Sequence, residues 1–192
     1  RLGPADARLA EIGDQASYSL GTATDTAAFQ DWFSDSTVRD AQARPLVMYH
    51  GTFQDVPGFA EDARSLDMDG GTIGFHFGDH EAAEERLRML SEFDEAIGRT
   101  SSGAPNVVPV YLAISSPLEM DDMASRPHTN ADDGMRHWEN PEDVGLTLYE
   151  DGVFDIDEFE DTRGRFDLIK ARLKEKGFDG IVYRNAVEGA AD

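Results

Sequence analysis

Short apolar segments with the length of β-strands are the feature that most limits the folds open to this 192-residue chain. Four such segments are separated by loops and by segments with helical periodicity. They are residues 46–50 (LVMYH), 72–78 (TIGFHFG), 107–114 (VVPVYLAI) and 178–185 (FDGIVYRN). Strands and helices do not alternate as they would in a doubly wound parallel sheet. The pattern therefore predicts an α+β fold.

Three further segments have the periodicity of helices that bury one face. Residues 25–33 place three aromatic side chains on one side of such a helix, and residues 80–93 follow Asp79, which is a favourable N-cap. Residues 165–177 end in Gly177, the residue type that most often follows a helix. Helices are thus predicted before, between and after the strands.

The chain is expected to consist of a tail or linker over residues 1–24 and a single domain over residues 25–192. Residues 1–24 end in small, loop-forming residues, whereas all predicted strands and helices lie in the remainder. Only a short segment follows the last predicted strand. We therefore expect the domain to lack its last strand, and the chain to be either part of a larger polypeptide or a sequence trimmed to its ordered region. Residues 124–140 are polar and are predicted to be irregular.

The chain is strongly acidic, since 39 Asp and Glu residues oppose 17 Lys and Arg residues and the net charge is −22. A field of this sign repels phosphate backbones, so nucleic acid is disfavoured as a partner and a basic protein target is favoured. Solubility alone explains the charge equally well. The absence of cysteine excludes disulfides and zinc–thiolate sites, and no apolar run approaches the roughly 20 residues of a membrane helix. A cytoplasmic protein without a membrane partner is expected, either in its own cell or in a host after delivery within a larger protein.

The first candidate site is His50-Gly51-Thr52, at the end of the first predicted strand. A neutral imidazole there can hydrogen-bond a ligand hydroxyl, and Thr52 adds a second hydroxyl. Gly51 has no side chain, so a ligand can approach its backbone N–H and C=O. A packed histidine beside a turn glycine is the simpler explanation of these three residues taken alone.

The second candidate site is the segment Gly74-Phe75-His76-Phe77, which Gly78 follows. Two glycines bracket its aromatic residues, so a flat aromatic ligand could stack on the face that carries His76. Glycines placed where a helix crosses a core strand are the simpler explanation of the segment taken alone.

Titratable side chains offer one further candidate. The spacing of His76, His80 and Glu84 suggests a metal site, but His76 is predicted on a strand and His80 on the following helix. These side chains therefore do not share one helical face, and no metal is expected. Glu188 lies among small residues just past the last predicted strand, which leaves room for a ligand. On chemistry alone it is one acidic loop residue among many.

Four motifs, taken together and in order, resemble a known family. They are YHGT (residues 49–52), GFHFGDHEAAEERL (74–87), VVPVYLAISSPLEMDD (107–122) and KGFDGIVYRNAVEG (176–189). They resemble the ADP-ribosyltransferases of the diphtheria-toxin and poly(ADP-ribose) polymerase group, in particular the transferase domain of phage and mobile-element polyvalent proteins. The resemblance covers residues 27–192, because the tryptophan-containing helix ahead of the first motif is also similar.

The resemblance implies a split, mostly antiparallel β-sheet with peripheral helices, which clamps the co-substrate NAD in the cleft between its halves. It implies that His50 hydrogen-bonds the adenosine-side ribose. It also implies that the Gly51 backbone holds the nicotinamide amide, with Thr52 beside it. The strand would then end in His-Gly-Thr because the dinucleotide binds at its edge.

The resemblance implies that the second motif, Gly74 to Phe77, also binds NAD, but this chain departs from the family there. The family usually has a tyrosine that stacks on nicotinamide, and this chain has His76 at that position. A second stacking aromatic is common in the helix that follows, and the matching position here is at about Leu87. An imidazole can stack, but it is smaller than a phenol ring.

The third motif of the family supplies an acid that bonds the nicotinamide ribose. Glu188 is the candidate, and Asp192 or an acid beyond the chain end are the alternatives. A carboxylate there would stabilise an oxocarbenium-like transition state as nicotinamide leaves.

The resemblance predicts a mono-ADP-ribosyltransferase that modifies a protein. A catalytically degenerate NAD-binding module is the main alternative, because of His76 and Leu87. NAD hydrolysis without transfer also fits the motifs. A distant further alternative, from charge alone, is an acidic decoy that blocks a DNA-binding enzyme.

Overall fold

The computed structural model describes residues 24–53, 59, 72–96, 98, 103–127 and 136–184. Within these residues the helices are α1 (Ala27–Phe33), α2 (His80–Ala96), α3 (Pro141–Glu150), α4 (Ile156–Thr162) and α5 (Phe166–Glu175), with a 3-10 turn at Met123–Ser125. The strands are β1 (Met48–Thr52), β2 (Asn106–Val110), β3 (Pro117–Asp121) and β4 (Gly180–Arg184). Helices and small sheets occur together, so the predicted α+β class is confirmed.

The described residues form two compact units. The first contains residues 24–53, 76–96, 98 and 103–115, and the second contains residues 59, 72–75, 116–127 and 136–184. Each unit has a pair of strands and a hydrophobic cluster of its own. Residues 1–23 and 185–192 lie outside the described part, so the expected tail and the expected missing strand stay predictions.

In the first unit, β1 pairs with β2 in antiparallel register, with Tyr49 opposite Pro109. On its other edge, Tyr49 donates its N–H to the Gly78 carbonyl over 2.8 Å and accepts the Gly78 N–H over 3.0 Å. The hydrogen-bonding groups of successive strand residues point to opposite edges, so the backbone groups of Tyr49 face away from β2. Pro109, which has no N–H, therefore lies where β1 needs no donor.

Helix α2 begins and packs as predicted. The Oδ1 of Asp79 accepts the Ala82 N–H over 2.7 Å, which caps the helix. Ala83 and Leu87 are buried and form a hydrophobic cluster with Val107 of β2. The helix continues to residue 96, three residues beyond the predicted end.

Helix α1 buries only part of its predicted aromatic face. The Oγ1 of Thr26 accepts the Phe29 N–H over 3.2 Å, so Thr26 is the N-cap. Phe33 is 2% exposed, and the Phe29 ring stacks on it and meets the Tyr111 ring edge-on at 5.0 Å. Trp32 is 55% exposed, in contrast to the prediction.

The segment predicted as the second strand, residues 72–78, is not a strand. It contacts β1 through one backbone bridge, between Gly78 and Tyr49. The Thr72 hydroxyl donates to the Gly74 carbonyl over 2.9 Å, a local bond that competes with strand pairing. Farther along, the His76 carbonyl accepts a hydrogen bond from a side chain rather than from a strand.

In the second unit, β3 and β4 pair in parallel register, with Leu118 opposite Ile181. The described strands therefore form one antiparallel and one parallel pair, whereas the resemblance implies a mostly antiparallel sheet. Helices α3 and α5 supply much of the core of this unit. Its buried members are Leu118, Met123, Trp138, Val144, Leu148, Phe154, Phe166, Ile169 and Leu173.

Helices α3 and α4 occupy a region where no helix is predicted above. The Asn140 side chain accepts the Glu142 N–H over 3.0 Å, and Pro141 stands at the first helical position. Helix α4 begins with a capping box in which Asp155 and Glu158 each bond the other's backbone N–H. The Asn140-Pro141 cap and the Asp155–Glu158 capping box are both helix-start signals that are present in the sequence.

Helix α5 ends at the predicted glycine. Gly177 has a φ of +92°, its N–H donates to the Lys174 carbonyl, and the Phe178 N–H donates to the Leu173 carbonyl. These two bonds define a Schellman motif, which favours glycine at this position. No helix in the described ranges has the length and apolar character needed to cross a membrane.

Candidate functional site

His50 of β1 forms the central contact of the candidate site. Its Nδ1 lies 2.8 Å from the carbonyl oxygen of His76. A carbonyl oxygen can only accept, so Nδ1 carries the proton and donates it. In the neutral ring Nε2 then carries the lone pair and is a hydrogen-bond acceptor. This tautomer can accept from a ligand hydroxyl, as the resemblance implies.

Burial keeps the His50 ring neutral. Removal from water lowers the pKa of His50 below its ordinary value of 6.5, and this effect outweighs the opposing effect of the hydrogen bond to His76. The positive charge of Arg86, on α2, lowers the pKa further. The acceptor form of the ring is therefore the populated one at neutral pH.

Helix packing requires glycine at position 51. A Cβ there would lie 3.1 Å from the carbonyl carbon of Ala83 and 3.2 Å from Cγ of Leu87, and closer still to the Ala83 oxygen. The space beside the Gly51 Cα is thus filled by α2. Room for a ligand is not needed to explain why this residue has no side chain.

The Gly51 backbone nevertheless faces an edge of β1 that a ligand could use. Gly51 lies two residues after Tyr49, so its N–H and C=O point to the same edge, away from β2. A regular continuation of the Tyr49–Gly78 pairing would set Gly51 opposite His76. The His76 carbonyl instead accepts from His50, and within the described residues no backbone hydrogen bond of Gly51 is recorded at this edge.

Two more predicted residues lie in the same unit. The Phe77 ring centroid is 5.6 Å from that of His50, with the planes at 51°. Thr52 is buried and, two residues from His50, shares its face of the strand. The first unit therefore brings together His50, Gly51, Thr52, His76 and Phe77.

The remaining predicted residues are placed differently. Gly74 and Phe75 belong to the second unit. A Cβ on Gly74 would meet no atom within 4 Å. The Phe75 ring meets the Phe59 ring edge-on, with the centroids 4.9 Å apart. Glu188 and Asp192, the two candidate acids, lie outside the described residues. The assignment of the third motif therefore stays a prediction.

Leu87, the position of a second stacking aromatic in the family, is part of the core. Its side chain is 6% exposed and lies against Gly51. Alternate residues of a strand share a face, so Gly51 and Tyr49 lie on the face that α2 covers and His50 lies on the opposite one. Leu87 therefore lies on the face of β1 opposite the one that carries the His50 ring.

The described ranges contain no group of three or more His, Asp or Glu side chains that could hold a metal. His80, one of the residues with suggestive spacing, lies 3.6 Å from Glu84 and meets the Tyr49 ring edge-on at 5.1 Å. These contacts are those of a helix surface residue.

One residue of this region could not be identified from the sequence. Arg86 is one of several charged residues in α2, and nothing in the pattern separates it from Arg88. Only the packing of α2 against β1 shows that the charge of Arg86 acts on His50.

The sequence matches the family described as ADP-ribosyltransferase in polyvalent proteins, over residues 40–191. The chain belongs to this family, whose members are NAD-dependent transferases with NAD as co-substrate. The resemblance identified from the four motifs is thereby confirmed, although the match begins after α1 and not at residue 27. Comparison with curated proteins and with solved structures finds no match.

Proposed function

We propose that the chain is a mono-ADP-ribosyltransferase that cleaves NAD at the nicotinamide glycosidic bond and transfers ADP-ribose to a protein acceptor. Family membership supports the NAD-dependent chemistry. The observation that carries the site assignment is the hydrogen bond from His50 to His76, which holds an acceptor nitrogen beside the Gly51 edge. A split sheet whose halves clamp NAD, as the resemblance implies, is part of this proposal.

In the proposed complex, Nε2 of His50 accepts a hydrogen bond from the adenosine-side ribose. The N–H and C=O of Gly51 hold the nicotinamide amide, as a strand edge would hold another backbone. Thr52 lies beside this contact. The second motif, Gly74 to Phe77, lines the nicotinamide pocket, and His76 takes the place of the family's stacking tyrosine.

The proposed reaction breaks the bond between ribose C1′ and the nicotinamide nitrogen, and the bonding electron pair leaves with nicotinamide. A nucleophile of the acceptor protein then bonds C1′ and gives up one proton to the medium. Positive charge develops on the ribose before the new bond forms, as in glycoside cleavage. The Glu188 carboxylate is the proposed group that stabilises this charge.

Two observations favour a second candidate function, that of a module that binds NAD but does not catalyse its cleavage. His76 replaces the usual stacking tyrosine, and the position of the second aromatic is a buried leucine. An NAD hydrolase, in which water takes the place of the protein acceptor, is the third candidate.

The test is nicotinamide release from NAD by the purified chain, compared with a His50→Ala variant, with and without a lysate. His137→Ala is the matched control, because His137 is exposed and has no part in the proposed site. Biotin-labelled NAD reports transfer to protein in the same reactions.

Release that His50→Ala abolishes and His137→Ala retains would support the NAD site. A labelled lysate protein would identify a transferase, and release without any labelled protein would identify a hydrolase. NAD binding that requires His50 but produces no nicotinamide would favour the binding module. Release that is unchanged in His50→Ala would overturn the site assignment.

A further inference from the structure

We propose that helices α3 and α4 of the second unit carry a docking surface for a basic protein segment that also presents an apolar side chain. We call it the α4 surface. It consists of three apolar and three acidic side chains, which are Tyr149, Ile156, Phe159, Asp157, Glu160 and Asp161. None of them belongs to the candidate NAD site, so the inference goes beyond the proposed function and does not depend on it.

The apolar part of the α4 surface is a patch that reaches solvent. The Phe159 ring lies against α3, where a Cβ on Gly145 would be 3.5 Å from it, and it stacks on the Tyr149 ring with the centroids 5.6 Å apart. Ile156 lies three residues before Phe159, on the adjoining part of the same helix face. Ile156 is 51% exposed and Tyr149 is 39% exposed. Phe159 thus joins two exposed side chains into one apolar patch, of the kind found at the centre of protein interfaces.

Exposed acids border this patch on its α4 side. Glu160 lies one turn after Ile156 and therefore beside it on the helix surface. Asp157 and Asp161 are also one turn apart and form the next row. All three acidic side chains are exposed. An apolar patch with a charged rim is the arrangement expected of a polar protein contact.

The nearby cations are directed elsewhere. Within the described residues, none of the three acids of the α4 surface forms an ion pair. Glu158, on another side of the same helix, pairs with Lys176 at 2.9 Å. Arg163, which follows α4 directly, has its Nε 3.5 Å from a carboxylate oxygen of Glu142 in α3. The negative charge of the α4 surface is therefore not neutralised by its own unit.

The stability of α4 does not explain these acids. Glu160 and Asp161 stand in the last turn of the helix, where the helix dipole disfavours negative charge, and that turn has no basic residue. Asp157 and Asp161 are four residues apart, so their carboxylates repel each other. Local rules that are broken without a compensating contact are typical of residues that serve binding.

Charge selects the occupant of the surface. A second copy of the chain, with its net charge of −22, would be repelled by these acids, and so would nucleic acid or an anionic membrane. A segment rich in lysine or arginine is attracted at long range and can pair with the three carboxylates. An apolar side chain of the same segment would cover Ile156 and Phe159 and form the buried centre of the contact.

The test is calorimetric titration of the purified chain with a synthetic basic peptide. The peptide has about 14 residues, the length of an average helix, with leucine at every third or fourth position and arginine or lysine elsewhere. One control peptide has glutamate in place of the basic residues, and another has serine in place of leucine. ¹⁵N NMR identifies the residues whose chemical shifts change, and sedimentation reports the oligomeric state.

One pair of variants tests the apolar patch. Ile156→Ser is compared with Val182→Ser, because Val182 of β4 is 45% exposed and lies outside the α4 surface. Both variants replace an exposed aliphatic side chain by serine, so only the position differs.

A second pair of variants tests the acids. Glu160→Gln/Asp161→Asn is compared with Asp31→Asn/Asp35→Asn, which removes the same charge from exposed residues of the first unit. Asp157 is kept, because its charge in the first turn of α4 stabilises the start of the helix.

We expect the basic peptide to bind wild type, and both control peptides to bind about tenfold more weakly or not at all. Ile156→Ser should weaken binding about tenfold, because it removes the apolar centre, whereas Val182→Ser should match wild type. Glu160→Gln/Asp161→Asn should weaken binding about three- to tenfold at low salt and less at high salt, with a smaller loss in its control. The same double variant should melt no lower than wild type, because it removes charges that the helix dipole disfavours.

Equal affinity of Ile156→Ser and Val182→Ser, or equal losses in the two double variants, would overturn the proposal. Chemical-shift changes confined to other parts of the chain would overturn it too, as would a wild type that binds none of the peptides. A dimer that Ile156→Ser dissolves would show that a second copy covers the surface instead. Nicotinamide release should be unchanged in the variants of the α4 surface, so the proposed function is tested separately.

Discussion

The imidazole of His50 donates to the backbone carbonyl of His76 over 2.8 Å, across 26 positions of sequence. The bond sets the proton on Nδ1 and the lone pair on Nε2. It also occupies the carbonyl that a regular strand pairing would direct toward Gly51. One hydrogen bond thus determines the tautomer of the ring and takes up the carbonyl that would otherwise pair with the neighbouring backbone edge.

The first prediction concerns pH. Because burial lowers the pKa of His50 below 6.5, nicotinamide release that depends on the neutral ring should lose activity only below that value. The measurement is the pH–rate profile of nicotinamide release, with the His50 ring followed by NMR. An acid limb centred above 6.5 would contradict the prediction.

The lowered pKa of His50 also predicts that the stability of the fold depends on pH. Between the lowered folded pKa and 6.5, the unfolded chain binds a proton at His50 that the folded chain does not, so the free energy of unfolding falls as pH falls through this window. Above 6.5 both states are neutral and the effect vanishes. Urea unfolding of wild type and His50→Gln should therefore differ in pH dependence only on the acid side. Parallel curves at all pH values would argue against it.

The second prediction concerns Gly51. In Gly51→Ala the new methyl group overlaps the Ala83 carbonyl, so α2 or β1 must shift. Overpacking of this kind costs about 1–3 kcal/mol in the free energy of unfolding. Gly74→Ala is the matched control, because a Cβ there meets no atom within 4 Å. Urea denaturation measures both, and equal stability of the two variants would show that α2 does not pack as described.

The third prediction separates core packing from ligand stacking at Leu87. Leu87→Ala should lower the free energy of unfolding by about 2–5 kcal/mol, since it opens a cavity in the core. The NAD affinity of the folded variant should stay within about twofold of wild type, because Leu87 is expected to contribute packing and not ligand contact. For comparison, a loss of about 1.4 kcal/mol in binding free energy would weaken the affinity tenfold. Calorimetry below the melting temperature tests this, and a large loss of affinity in a well-folded variant would restore the stacking role.

The fourth prediction concerns the proposed acid. Glu188→Gln should slow nicotinamide release by about a hundredfold or more, because one well-placed group is worth that much in such a transition state. The dissociation constant for NAD should change far less than the rate. Asp192→Asn is the parallel variant. An unaffected rate in Glu188→Gln would move the assignment to Asp192 or to another acid.

The local sequence signals predicted most elements whose ends depend on nearby residues. Asp79 caps α2, and Gly177 ends α5 in a Schellman motif. The capping signals at Asn140 and Asp155 were equally local and would have revealed α3 and α4. These contacts span a few residues, which is why pattern alone can identify them.

The parts that pattern could not predict depend on contacts between distant segments. Residues 72–78 alternate like a strand, yet the His76 carbonyl bonds a side chain and the pairing stops at Gly78. The reason for glycine at position 51 and the influence of Arg86 on His50 both arise from the packing of α2. The motif identified His50, but only the fold shows its tautomer.

Proline at position 109 disfavours one misaligned pairing of β1 and β2. If β2 turned over and slipped by one residue, Pro109 would stand opposite Met48 or His50, at a site where the ladder needs a backbone donor that proline lacks. The same slip would turn Val107 away from the cluster that it forms with Ala83 and Leu87 of α2. The proline thus penalises a misaligned β2 at the moment of pairing. It favours the register in which Val108 lies opposite His50, although it takes no part in the proposed reaction.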